Sequence, residues 1–136
     1  MKFFLLDGAG ALIIIIPILI VAMFVVILVE AGIIVYFKLN NFKRALAYSS
    51  IVNIASLAVG FVLVPALERR FHNEIEKESL WVWLLFFITT VLTEGLLLML
   101  MIKKAPKQKV WLAVIVMNVI TYLLLYLFVV YFLNRF

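Results

Sequence analysis

The chain has 136 residues, 68% of them hydrophobic, with a net charge of +5 and a mean hydropathy of +1.28. Soluble domains run about 45–50% apolar, so a soluble fold of this length has no way to hide so much apolar surface, and the expected solvent is lipid. The absence of cysteine removes disulfides, thiol redox chemistry and thiolate metal sites.

The opening MKFFLLDGAGALIIII has the basic-then-apolar layout of a signal peptide. Asp7 interrupts it, and the run 11–29 that follows is 19 residues without a charge. A signal sequence has an apolar core of about 7–15 residues, so a retained first helix is expected, with Pro17 as a kink near its outer end. Four stretches reach the roughly 20 apolar residues a transmembrane helix needs: 12–37, 45–67, 80–102 and 110–133. They are continuously apolar rather than alternating, which excludes barrel strands and leaves helices, whose backbone groups are satisfied internally. The expected fold is an all-α integral membrane protein. It is a four-transmembrane-helix bundle forming a single membrane domain over 1–136. Two tandem hairpins build it, at about 12–67 and 80–133, with an outer loop at 68–79.

Lys38, Lys43 and Arg44 lie in the first connection, and Lys103, Lys104, Lys107 and Lys109 in the third, with no acid in either. The positive-inside bias therefore places 38–44 and 103–109 in the cytoplasm and both termini outside. The net positive charge is a topology signal rather than a sign of nucleic-acid binding. Tyr36, Phe37 and Trp111 suit the inner interface, and Trp81, Trp83 and Tyr131 the outer one. The second connection mixes four glutamates with three basic residues. Its pairs Arg70/Glu74 and His72/Glu76 predict a short solvated helix, with Ser79 as the N-cap of the third span. One histidine beside Glu74, Glu76 and Glu78 is a wet polar loop, not a metal site.

Two of the four spans carry a glutamate: Glu30 in LVEAG, eight residues before Lys38, and Glu94 in LTEGL, nine before Lys103. A carboxylate within a bilayer costs about 2.5–3.5 kcal/mol on insertion scales, so such residues usually face a protein interior and mark function. The halves align further. Glu30–Ala31–Gly32 matches Glu94–Gly95 with one residue missing, and Arg44 matches Lys109. Nine residues after each basic anchor comes an asparagine, Asn53 and Asn118, and three further a hydroxyl, Ser56 and Thr121. Four correspondences in order point to a duplication. Two hairpins entering the membrane the same way would be related by a pseudo-two-fold axis along the membrane normal. At 1.5 Å per residue the glutamates and asparagines lie about 12–14 Å from their anchors, on one level. The candidate site is therefore Glu30, Asn53, Ser56, Glu94, Asn118 and Thr121. The stripe Ser49–Asn53–Ser56–Gly60 extends it on the second helix, and Thr90 and Thr93 join Glu94 on the third.

Two carboxylates near one axis would titrate as a pair, and oxygen-rich surroundings suit a proton or a hard or monovalent cation. Binding or moving a proton or small cation is the leading reading. The alternative is a non-enzymatic accessory or assembly subunit of a larger membrane complex. There the Glu/Asn groups would be helix-packing glue, at about 0.6 kcal/mol per hydrogen bond. Partners beyond the lipid bilayer, whether a homo-oligomer or a larger complex, stay open. No nucleophile–base pair, HExxH or Gly-rich phosphate loop is present, so neither an enzyme nor a cofactor is implied. Four helices with a membrane glutamate resemble the small multidrug exporters in outline. Those have a single essential glutamate in the first helix and no such duplication, so their function is not carried over.

Overall fold

The computed structural model describes residues 8–70, 80–128 and 130, with side chains placed over 16–66, 84–128 and 130. It is all-helical over those residues: α1 Gly8–Tyr36, α2 Phe42–Arg70, α3 Leu80–Met101 and α4 Lys107–Phe128. All four are long and apolar enough to cross a membrane. The helices overrun the apolar stretches at several ends. α1 starts at Gly8 rather than residue 12, α2 extends three residues past 45–67 at each end, and α4 starts at Lys107, directly after Pro106. Hydropathy marks where a helix is apolar, whereas helical hydrogen bonding continues into polar flanks until a cap ends it.

The caps explain the two turns at the basic end. α1 closes in a Schellman arrangement: Leu39 N–H donates to the Ile34 carbonyl at 3.0 Å and Lys38 N–H to the Val35 carbonyl at 2.8 Å. This requires a left-handed residue, and Lys38 supplies it with φ 53°. Ile34 and Leu39, the two side chains that such a cap brings together, are both buried. Two residues later Asn41 caps α2, its Oδ1 accepting from Arg44 N–H at 3.0 Å while its carbonyl takes the first helical bond from Ala45. At the second turn the Pro106 carbonyl accepts from Lys109 and Val110 to open α4.

Contacts run α1 to α2, α2 to α3, α3 to α4 and α4 back to α1, a closed ring of four. Packing along the ring is uneven. The buried apolar side chains are Ala31, Ile34, Leu39, Ala45, Val52, Leu98, Ile102, Val110, Ala113, Val114 and Met117. All lie on the basic-turn side of the Glu30/Glu94 layer or within it. In the opposite half, over 16–29, 54–66, 84–93 and 122–128, no described side chain is buried. That half opens into two grooves. One, of about 430 Å³, is lined by α1 and α4 from Pro17 to Phe128, and the other, of about 730 Å³, by α2, α3 and α4. The expected short helix of the second connection, Ser79 as the N-cap of the third span, the cluster of His72, Glu74, Glu76 and Glu78, and the anchors Trp81, Trp83 and Tyr131 lie outside the described residues or side chains.

Candidate functional site

Each helix directs one stripe inward at helical spacing. On α1 it is Glu30, Ala31 and Ile34; on α2 Ala45, Ser49 and Val52; on α3 Glu94, Gly95, Leu98 and Ile102; on α4 Val110, Ala113, Val114, Met117, Asn118 and Thr121. The apolar members pack the closed half, and this holds Glu30 and Glu94 inward at its rim, each 1% exposed.

Two polar clusters result. Glu30 Oε2 accepts from Ser49 Oγ at 2.7 Å and from Asn53 Nδ2. Glu94 accepts from Asn118 Nδ2 at Oε2, 2.7 Å, and from Ser56 Oγ at Oε1, 3.2 Å. The asparagines are set alike. Asn53 Nδ2 also donates to the Ser49 carbonyl at 2.9 Å, and Asn118 Nδ2 to the Val114 carbonyl at 3.1 Å. A backbone carbonyl can only accept, so the atom facing it must be the amide nitrogen, which fixes the orientation of both amides. Both N–H protons of each amide are then committed, one to the helix and one to a carboxylate. It follows that Oε2 of each glutamate is held as an acceptor.

No lysine or arginine among the described residues pairs with either carboxylate. The link between clusters is α2, which supplies Ser49 and Asn53 to Glu30 and, one turn on, Ser56 to Glu94.

Of the six residues singled out by sequence, the structure brings Glu30 to Asn53, and Glu94 to Asn118 and Ser56. Thr121 is not brought to a carboxylate; its hydroxyl donates back to the Met117 and Asn118 carbonyls at 2.9 and 3.2 Å. Thr90 lines a groove together with Glu94, but neither its hydroxyl nor that of Thr93 bonds the carboxylate. Thr90 Oγ1 lies 3.2 Å from Tyr122 Oη, and Thr93 donates to the Thr89 carbonyl. Glycines of the aligned triplets differ too. A Cβ on Gly95 would come within 2.3 Å of Trp111 Cζ3, whereas one on Gly32 meets nothing within 4 Å. Trp111, expected as an interface anchor, is half-buried and packs α4 onto α3 at Gly95.

Ser49 is the site residue the chosen set missed. It is fully buried and bonds Glu30 directly, and its position four residues before Asn53 on the small-residue stripe was the available signal. Tyr122 was missed as well; its ring meets Phe87 edge-on at 5.2 Å, and nothing in a Leu/Tyr-rich run distinguished it. Comparison with known protein families, with characterised proteins and with solved structures returns no match.

Proposed function

We propose that this is a small polytopic membrane protein whose two Glu/Asn sites bind a proton or small cation and move it across the bilayer. The observation that carries the reading is charge. Two carboxylates are buried at the rim of an apolar core, each supplied with hydrogen-bond donors but, among the described residues, with no cationic side chain. Burying an unpaired anion is strongly unfavourable, so a positive species must come from outside the protein when either group is ionised. Oε1 of each glutamate is the place for it. The bundle is sealed on the basic-turn side of the carboxylates and open on the other, which is the one-sided access that a transport site has in one of its states. The recurrence of glutamate, amide and i−4 carbonyl in both hairpins supports a duplicated origin with a pseudo-two-fold axis along the membrane normal. Ser56 and Thr121, and Gly32 and Gly95, have since diverged.

In this reading the basic turns 38–44 and 103–109 are cytoplasmic and both termini outside, so the open half faces outward. Cysteines introduced at Asn41 and Asn73 would react with an impermeant reagent from opposite sides, and labelling of position 41 from outside reverses the orientation. The functional test uses vesicles with reconstituted wild type, Glu30→Gln and Glu94→Gln. Gln keeps size and hydrogen bonding but does not ionise. Loss of pH-dependent ion binding or flux in either variant is the expected result.

A second reading, the accessory subunit, draws on the bare apolar surface of the open half, where a partner's helices would pack. It predicts no flux and no titration between about pH 5 and 9, the range to which burial can move a carboxyl. It also predicts that the Gln variants are silent and that a larger partner co-purifies.

A further inference from the structure

The open half of the bundle is not equally open to the two carboxylates. The groove of about 730 Å³ between α2, α3 and α4 has Glu94, Asn53 and Ser56 on its lining, and Glu30 is absent from it. Thr90 and Tyr122 complete its polar side, and Phe61 and Phe86 lie on the apolar side. It is far larger than a single ion needs. A hard inorganic cation takes six or more oxygen ligands, and a wall made largely of phenyl and aliphatic groups does not supply them. The same wall suits an apolar body, and a ring face attracts a positive charge held near it.

Bond lengths at Glu94 point the same way. Oε2 is fixed by Asn118 at 2.7 Å, while Oε1 receives only the longer 3.2 Å bond from Ser56. A carboxylate oxygen has room for more than one donor, and Ser56, itself on the groove lining, can yield its place to a stronger one. At Glu30 both bonds fall on Oε2, and Glu30 lines neither of the two grooves described above. The second groove, along α1 and α4, is apolar throughout and offers a cation nothing.

We propose that the groove beside Glu94 is a binding site for a compact lipophilic amine, its ammonium donating to Glu94 Oε1 and its apolar body lying between Phe61 and Phe86. Entry is from the open half of the bundle. The two carboxylates thus divide the work, Glu94 taking an organic cation and Glu30 a proton. This rests on the reading of Glu94 as an ion-binding carboxylate, and the test separates the two.

The probe is tritiated propranolol, a naphthyl-bearing secondary amine, with the protein in lipid nanodiscs. Saturable binding is expected, displaced by unlabelled amine and not by neutral 2-methoxynaphthalene. Glu94→Gln should weaken it about 30-fold or more, the low end of what losing one partner of a buried charge pair costs. Glu30→Gln, whose partner Asn53 lines the groove, should change it far less than Glu94→Gln. Gly60 lines the groove and a Cβ there meets nothing within 4 Å. Gly60→Leu should therefore narrow the groove and weaken amine binding while Glu94-dependent proton or cation binding persists. Gly60→Ala, which leaves the space open, should bind as wild type and guards against a folding artefact. Absence of saturable binding in the wild type, or binding unchanged by Glu94→Gln or by Gly60→Leu, overturns the proposal. If proton or cation binding survives in that case, only the amine site falls. If Glu94→Gln changes neither, both readings fall.

Discussion

Replacing Asn118 with leucine, its near isostere, tests whether Glu94 carries charge where the structure puts it. The amide makes two bonds, to Glu94 Oε2 at 2.7 Å and to the Val114 carbonyl at 3.1 Å. Only the first crosses between helices. Without it Glu94 keeps one donor, Ser56 at 3.2 Å. A hydrogen bond to a charged group is worth about 1.5–3 kcal/mol, whereas a neutral interhelical bond in lipid averages about 0.6 kcal/mol. Asn118→Leu should therefore cost about 1.5–3 kcal/mol in the wild type. In a Glu94→Gln background, where the acceptor is neutral but the same shape, the cross-helix part should cost only about 0.6 kcal/mol. The Val114 bond is lost in both backgrounds and cancels, so the difference, about 1–2 kcal/mol, isolates the charge. The assay is reversible unfolding of the four variants in mixed micelles, at several pH values. The difference should shrink as pH falls and Glu94 takes up a proton, because the acceptor then becomes neutral in both backgrounds. Costs equal within about 0.5 kcal/mol at every pH from about 5 to 9 would refute the reasoning.

Four further outcomes follow from local geometry. Gly95→Ala drives a methyl into the Trp111 ring. It should destabilise by about 1–3 kcal/mol and shift Trp111 emission in a background with Trp81 and Trp83 replaced by Phe. Gly32→Ala, into open space, should instead stabilise by about 0.5–1 kcal/mol through helix propensity. At the first turn, Asn41→Ala removes the α2 cap and should cost about 1 kcal/mol by thermal unfolding. Lys38→Gly relieves the left-handed residue and should raise stability by up to about 1 kcal/mol.

The bundle class was legible because apolar run length depends on composition alone, and so was each glutamate's pairing with its own asparagine, because offsets from a shared turn translate directly into height. The second donor at each carboxylate was not legible. Ser56 and Thr121 occupy the same offset, yet one reaches across to α3 and the other bonds its own helix. Hydroxyls in a helix always have the i−4 carbonyl as a competing acceptor, and interhelical distance, which sequence does not state, decides between them. Gly95 was hidden for a related reason: its role depends on where the Trp111 ring lies on the facing helix. Nor did hydropathy separate the two halves of the bundle, since both fall within the same long apolar spans.

That separation gives the polar layer its meaning. Had the carboxylates lain at the centre of the packed half, eleven buried apolar neighbours would enclose them on both sides, and packing glue would be a sufficient account. They lie instead at the boundary, with a sealed plug on the basic-turn side and grooves on the other. Asn53 and Asn118 each hold one oxygen, Oε2, and at Glu94 the second takes only the longer bond from Ser56. α2 touches both clusters, with Ser49 and Asn53 on one and Ser56 on the other. A small rotation of α2 would change the donors at both glutamates together. It would also move Gly60, Phe61 and Pro65, which line the groove leading to Glu94. If the proposed ligand and proton sites are occupied as argued above, α2 would link groove occupancy to the hydrogen bonding of Glu30.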